Sequence, residues 1–175
     1  MHLQPRRGVI LMSSLRDFFE HDSLLQSFHP FGIKEASMSD QQFPEPTVGA
    51  FIFNNKGEIL LLQSHKWPGR YVVPGGHVEL GERLEEAVTR EAKEETGLDV
   101  HTIEFINFQQ FIYDPAFWKK RHFIFFDFAC KTDDTDVILN DEAEGFVWVE
   151  PRLALTMEVD TYTRRSIEEW LKRQS

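Results

Sequence analysis

One stretch, from Gly76 to Leu98, constrains this chain more than any other part of it. Pro74-Gly75-Gly76 leads into it and is a turn signal, because glycine permits backbone angles that other residues resist. Gly97 near its end is a natural stop for a helix. Nearly every residue in 83–96 is a good helix former. The sequence therefore predicts a glycine turn followed by a helix of about three to four turns.

The predicted helix carries acidic residues on the face that should turn inward. At about 100° per residue, Glu91 and Glu95 fall within the arc of its small apolar side chains, and Glu94 lies at the edge of that arc. An unpaired buried charge is very costly, so these carboxylates must be paired, protonated or bound to a cation. Two such charges about 4 Å apart repel by roughly 4 kcal/mol at an effective dielectric near 20. The simplest resolution is a hard divalent ion, Mg²⁺ or Mn²⁺, although a helix with ordinary surface ion pairs is the alternative.

The same residues match a known signature. Gly76, Glu82 and the run Arg90-Glu91-Ala92-Lys93-Glu94-Glu95-Thr96-Gly97-Leu98 stand at the spacing of the Nudix box, so the chain resembles the Nudix hydrolases. The one soft departure is Ala92, which is small where a larger aliphatic residue is usual. Strand patterns around the box extend the resemblance to roughly residues 47–150. The resemblance implies a curved mixed sheet between helices, with the box as strand, loop and helix.

The resemblance also implies an activity and a set of site residues. The activity is hydrolysis of the diphosphate linkage in a nucleoside diphosphate joined to another group, with water attacking phosphorus. Glu91 would be either a metal ligand or the base that activates water, and Arg90 would brace the carboxylates by pairing with Glu82. Carried over by position, the metal ligands are Gly76 (through its backbone carbonyl), Glu91, Glu94 and Glu95.

A further carboxylate outside the box is expected just before Phe146. Glu142 and Glu144 both lie there, and Glu144 is the better candidate for an additional ligand or base. A solvated acidic loop that includes Asp141 explains the same residues equally well.

The residues that bind the rest of the substrate are less constrained. His77 follows Gly76 directly and could reach a phosphate, although a lone loop histidine more often has no such role. Residues 117–122 combine aromatic rings with cations, as a nucleotide pocket does, or form a solvated loop. The predicted substrate-binding residues are Arg70, His77, Tyr113, Trp118 and Arg121.

Charge and composition narrow the functional classes. The chain has 175 residues and a net charge of −10, without a basic patch, which argues against binding to duplex nucleic acid or to an anionic membrane surface. The single cysteine, Cys130, cannot form an internal disulfide, which favours a reducing compartment. No apolar run approaches the length of a membrane span. We expect a cytoplasmic protein with a small-molecule partner.

Periodicity divides the chain into an N-terminal helical extension with a linker, residues 1–45, and a catalytic domain, residues 46–175. The linker is predicted over 41–46. The extension either covers the core of the catalytic domain or serves as a lid or an arm for homodimerisation. Strands before and after one central helix, with a second helix over 161–173, indicate an α+β fold, an α/β/α sandwich built on a mixed sheet.

Three functions are compatible with these features. The first is Mg²⁺-dependent hydrolysis of a nucleoside diphosphate derivative such as ADP-ribose or a nucleoside diphosphate sugar. The second is a nucleoside triphosphate pyrophosphatase that removes damaged nucleotides. The third is a module that senses nucleotides without cleaving them, which the complete set of box carboxylates disfavours.

Overall fold

The computed structural model describes residues 43–175. The predicted helical extension, and its role as a core cover, a lid or a dimerisation arm, falls on residues outside this range. Within it, the strand and helix bounds follow the hydrophobic pattern of the sequence closely.

Within residues 43–175, seven strands form one mixed sheet. Strands β3, β2, β1, β6 and β5 lie side by side in that order, while β4 pairs with β1 and β7 pairs with β2. β1 runs parallel to β6 and antiparallel to its other partners. The strands are β1 (Glu45–Phe53), β2 (Ile59–Ser64), β3 (Tyr71–Val72), β4 (Gly75–His77), β5 (His101–Ile112), β6 (His122–Lys131) and β7 (Ala143–Val149).

In the part of the chain that the structure describes, three helices accompany the sheet, namely α1 (Leu84–Thr96), α2 (Pro151–Ala154) and α3 (Thr161–Arg173). α1 ends where the sequence predicts, because Gly97 adopts a left-handed conformation, φ 72°, and donates its N–H to the Lys93 carbonyl at 2.9 Å. Asp160 caps the N-terminus of α3, because its carboxylate accepts hydrogen bonds from the backbone N–H groups of Tyr162 and Thr163.

The sheet separates two hydrophobic cores. Side chains of β1 alternate between them: Ala50 and Ile52 pack on the side of α1, whereas Phe51 and Phe53 pack on the side of α3. β2 alternates in the same way, and all four of its apolar residues, 59–62, are buried. Strands covered on both faces read as continuous apolar runs, which is the pattern of these segments. The predicted α+β sandwich with a mixed sheet is confirmed.

Two local expectations are wrong. The linker does not extend to Pro46, because β1 already begins at Glu45 and pairs with β6 there. The glycines before the box are not a turn: Gly75 and Gly76 lie in β4, opposite Gly49 and Val48, and neither has a positive φ. Glycine is needed for close approach instead, since a β-carbon on Gly75 would lie 2.1 Å from the Val48 carbonyl oxygen.

Candidate active site

The carboxylates of α1 lie on the faces that the helical periodicity of the sequence predicts. Glu91 and Glu95 are 9% and 8% exposed, on the same face as the fully buried Ala87, Val88 and Ala92. The Glu94 side chain is 56% exposed, at the edge of that face. Two acidic side chains are thus packed against the body of the protein, one turn apart.

Glu95 is the deepest of the three box carboxylates. Its Oε2 accepts the backbone N–H of Gly75 at 3.0 Å. Burial raises the pKa of Glu95 to about 8, with neighbouring Glu91 and Glu142 adding to the rise and the Gly75 N–H opposing it. The folded chain therefore holds a carboxyl group that gives up its proton reluctantly unless positive charge arrives.

Glu91 lies against the β4 backbone. A β-carbon on Gly76 would fall 2.5 Å from Glu91 Oε1, so only glycine at position 76 leaves room for this carboxylate. Arg90 Nη1 donates to Glu91 Oε1 at 2.7 Å. Burial nevertheless raises the pKa of Glu91, because desolvation outweighs the effect of Arg90.

Arg90 forms hydrogen bonds with several residues of the box. Its guanidinium donates to Glu82, to Glu91, to the Glu94 carboxylate at 3.3 Å and to the His77 carbonyl at 2.9 Å. The hydrogen bond to Glu82 is the main reason that the pKa of Arg90 lies above its ordinary value. The Arg90–Glu82 pair expected from the sequence is present, in a position that supports the carboxylates.

Of the two acidic residues expected outside the box, the structure brings Glu142 and not Glu144 beside Glu95. Glu142 and Glu95 affect each other's pKa, and Glu142 also pairs with Lys66. The hydrogen bond from Lys66 is the main cause that lowers the pKa of Glu142. Glu144 is exposed and lines a separate cavity with Arg70, so the structure does not bring it to the box.

The donor set fits a hard divalent cation by its chemistry. Burial without full neutralisation raises the pKa of Glu91 and Glu95, and both offer the oxygen ligands that such a cation prefers. Within residues 43–175, no three His, Cys, Asp or Glu side chains converge as a ready-made metal centre. Arg90 and the Gly75 N–H meet part of the need for positive charge there.

A cavity of about 130 Å³ adjoins the carboxylates. Aromatic rings form much of its wall, and we call it the aromatic cavity. Lys66, Trp67 and Gly75 line both this cavity and a smaller one, of about 50 Å³, that Glu95 and Glu142 border. The rings of the aromatic cavity are Trp67, Phe117, Phe123, Phe125 and Tyr162.

Only one predicted substrate-binding residue reaches the aromatic cavity. His77 lines it and lies 2.7 Å, through Nε2, from Glu45 Oε2, while Arg121 pairs with the other oxygen of Glu45 at 3.0 Å. Trp118 and Tyr113 are more than half exposed, beneath lysine side chains, and border neither cavity beside the carboxylates. Arg70 pairs with Glu158 and lines the cavity shared with Glu144.

Comparison with known proteins decides the family. The family model described as the NUDIX domain matches residues 43–171. The chain is a Nudix hydrolase. It is 32% identical, over 131 residues, to the nucleoside triphosphatase NudI of Salmonella agona, a match that covers 69% of this chain and 93% of that protein.

Solved structures agree with this assignment. This Nudix hydrolase superposes on the MutT protein of Methanosarcina mazei with a TM-score of 0.65 and 28% identity, over 78% of this chain and 99% of the other. The NUDIX domain of NrtR from Shewanella oneidensis, solved with ADP-ribose, has the same TM-score at 20% identity, over 89% and 99% of the two chains, and shows the fold alone. Within residues 43–175, no helix is long and apolar enough to cross a membrane.

Sequence reasoning missed several residues that border the site of this Nudix hydrolase. Lys66 and Trp67 lie in a loop that carried no pattern, and Tyr162 comes from the start of α3. Asp127 did carry a signal, since it is the one acidic residue in the apolar run of β6, where an unexplained charge marks a function or a partner.

Proposed function

We propose that this Nudix hydrolase cleaves a phosphoanhydride bond of a nucleoside triphosphate, with the base in the aromatic cavity and the phosphates beside α1. One observation carries the proposal: the aromatic cavity and the smaller cavity that Glu95 and Glu142 border share a wall formed by Lys66, Trp67 and Gly75. A nucleotide has two matching parts, a flat aromatic ring and an anionic phosphate chain. The products would be a nucleoside monophosphate and pyrophosphate.

The carboxylates supply the anionic half of the site. We propose that Glu91, Glu94 and Glu95 hold Mg²⁺, for which Mn²⁺ can substitute, together with the Gly76 carbonyl. When bound, the ion offsets the charge of the phosphates and favours attack at phosphorus. Phosphoryl transfer depends mainly on positioning and charge neutralisation, so this chain needs no nucleophilic serine or cysteine.

Two further side chains bear on the phosphates and the attacking water. Lys66 borders both cavities and pairs with Glu142 in the structure, so a phosphate can take the place of that partner. As the alternative to a role as metal ligand, Glu91 is our candidate for the base that accepts a proton from water, because burial raises its pKa and Arg90 fixes its Oε1.

A second function has its own observation. A cavity of about 240 Å³ lies beside Ser64 and Trp67 and is lined by Arg70 and Glu144. These polar groups suit the second half of a nucleoside diphosphate derivative, such as ADP-ribose or a nucleoside diphosphate sugar. The sequence alone ranks this class first, whereas the naming of the NudI relatives as nucleoside triphosphatases favours the triphosphate.

The test is hydrolysis of a nucleotide panel with Mg²⁺, with products separated by chromatography. Pyrophosphate together with a monophosphate, released from a triphosphate, would support the first function. AMP and ribose phosphate from ADP-ribose, with triphosphates left intact, would replace it by the second. An Arg70→Ala variant separates the two further, since it should impair only the diphosphate derivatives. Tight binding without turnover of any substrate would contradict both.

A further inference from the structure

One buried acid of the aromatic cavity has no role in the chemistry just described. Asp127, on β6, is 6% exposed. Its Oδ2 accepts one hydrogen bond from Ser166 Oγ at 2.5 Å and another from Gln109 Nε2 at 3.1 Å. Within the described part of the chain, residues 43–175, its Oδ1 makes no hydrogen bond. Asp127 Oδ1 is not among the fully enclosed polar atoms of this range, so a ligand or water in the aromatic cavity can reach it.

Gly49 keeps that oxygen accessible from the cavity. A β-carbon at position 49 would lie 2.4 Å from Asp127 Oδ1, so any other residue would cover or displace it. Gly49 and Asp127 are also register partners on β1 and β6, and both line the aromatic cavity. Asp127 Oδ1 is therefore a hydrogen-bond acceptor in the wall of the cavity that lacks a donor among residues 43–175.

Other polar groups around the cavity already have partners. The Asp160 carboxylate accepts the N–H groups that begin α3, and Tyr162 donates its hydroxyl to Asp114 at 3.2 Å. The cavity of about 130 Å³ far exceeds the roughly 10–15 Å³ that a single water needs, so several waters can occupy it. A ring that enters it displaces this water and must satisfy Asp127 Oδ1 itself.

We infer that Asp127 selects the nucleobase, by accepting a hydrogen bond from a ring N–H at Oδ1. Guanine, hypoxanthine, uracil and thymine carry such an N–H on their pairing edge. Adenine and cytosine have an unprotonated ring nitrogen at that position, which would place one acceptor against another. This inference rests on the proposed function, which puts the base in the aromatic cavity.

The charge of Asp127 sets the size of the expected preference. A hydrogen bond to a charged group is stronger than one between neutral groups, and leaving it unmade in a dry cavity is expensive. We therefore expect hypoxanthine to be preferred over adenine, and uracil over cytosine, by about tenfold or more in affinity. Each pair differs mainly at the edge in question, so ring size and stacking are matched.

An Asp127→Asn substitution tests the direction of the hydrogen bond. The amide oxygen can keep the two donors, Ser166 and Gln109, which turns the amide NH₂ towards the position of Oδ1. A donor then replaces the acceptor, while the shape of the cavity is retained. Exposed Asp136 provides a matched control, Asp136→Asn, on the loop after β6.

The experiment measures binding of IMP, AMP, UMP and CMP by calorimetry, without metal and at about pH 8, above the pKa of about 7 that burial gives Asp127. The expected result is tighter binding of IMP than AMP and of UMP than CMP, in the wild type and in Asp136→Asn. In Asp127→Asn both ratios should fall to about one or invert. Circular dichroism establishes that each variant is folded.

Equal or tighter binding of AMP and CMP by the wild type would overturn the inference, even if Asp127→Asn failed to fold. Unchanged ratios in a folded Asp127→Asn variant would overturn it as well. Because monophosphate binding requires no turnover, these results are separate from the hydrolysis panel. A protein that hydrolyses triphosphates but shows no preference between the paired bases retains the proposed function and loses this inference.

Discussion

Arg90 holds Glu82 through two parallel hydrogen bonds, from Nε to Oε1 at 2.8 Å and from Nη2 to Oε2 at 3.0 Å. This fork-to-fork geometry is the one in which an arginine–carboxylate pair is strongest and most directional. Glu82 lies in the loop between β4 and α1, and its carboxylate also accepts the Glu79 N–H at 3.0 Å. The pair therefore fixes the loop to the helix that carries the acidic residues.

Replacement of Arg90 by alanine should lower both stability and activity. The change removes both hydrogen bonds to Glu82 and leaves the buried Glu91 without its main cationic neighbour. We expect the melting temperature, measured by calorimetry, to fall by roughly 4 °C or more. Arg83→Ala is the control, because Arg83 is exposed and its ion pair with Glu85 is loose, at 3.7 Å. An unchanged melting temperature in Arg90→Ala would refute the bracing role.

Glu94→Gln and Glu95→Gln should each reduce turnover without unfolding the chain. Loss of a metal ligand removes several kcal/mol of charge stabilisation, and each 1.36 kcal/mol is a factor of ten, so we expect roughly a hundredfold or more. Glu85→Gln, on the outward face of the same helix, should retain full activity. Steady-state kinetics at saturating Mg²⁺ measures the effect. Near-normal turnover in either variant would remove that residue from the metal site.

Mg²⁺ should stabilise the wild type against heat. A cation that binds the folded carboxylates and not the unfolded chain adds about 2.7 kcal/mol at a hundredfold excess over its dissociation constant. We expect the melting temperature of the wild type to rise when Mg²⁺ is added and to return to its metal-free value when a chelator is added. In Glu95→Gln the rise should be much smaller. If Glu95→Gln and the wild type respond alike, the cation binds elsewhere.

Asp127 should make stability depend on pH. Burial raises the pKa of Asp127 from 3.8 to about 7, partly opposed by hydrogen bonds from Ser166 and Gln109. The folded chain thus keeps a proton over a range in which the unfolded chain has lost it. The free energy of unfolding falls as pH rises from about 4 to about 7, by up to about 4 kcal/mol, and then levels off.

Comparison with Asp127→Asn isolates this contribution from those of Glu91, Glu95 and Asp160, whose pKa values burial also raises. Urea unfolding at about pH 5 and about pH 8 measures it. We expect the wild type to lose about 2–4 kcal/mol more than Asp127→Asn between the two. Parallel losses in both proteins would show that Asp127 titrates normally.

We expect a shortened chain that begins at Gln41 to fold and keep its activity, because it retains all of residues 43–171, which match the NUDIX domain. Light scattering of the full and shortened chains tests the dimer arm predicted from the N-terminal extension. A lower mass for the shortened chain would support a dimer; an unchanged number of subunits would refute it. Loss of hydrolysis on shortening would favour the lid.

The sequence was most informative where periodicity alone sets geometry. The inward phase of Glu91 and Glu95 follows from the helical repeat, and α1 obeys it. The choice between Glu142 and Glu144 depends instead on how β7 meets β2, where the register shifts between Gln63 and Ser64. No local pattern encodes that shift.

The aromatic cavity could not be predicted from the sequence for a related reason. Trp67, Phe123 and Tyr162 come from a loop, a strand and a helix that are far apart in the chain. Each residue is unremarkable in its own segment, and only the tertiary fold gathers them. Tyr113 and Trp118, which looked more like nucleotide-binding residues, sit on an exposed loop instead.

The parallel pairing of β1 with β6, from Glu45 opposite Phe123 to Phe53 opposite Lys131, determines when the site can form. α1 is built from neighbouring residues and can appear early, but the two strands must close a long loop before they meet. Pairing between distant segments is the slow step in folding. Gly49 and Asp127 come together only in that step, so a refolding chain would show helical signal well before it could recognise a base.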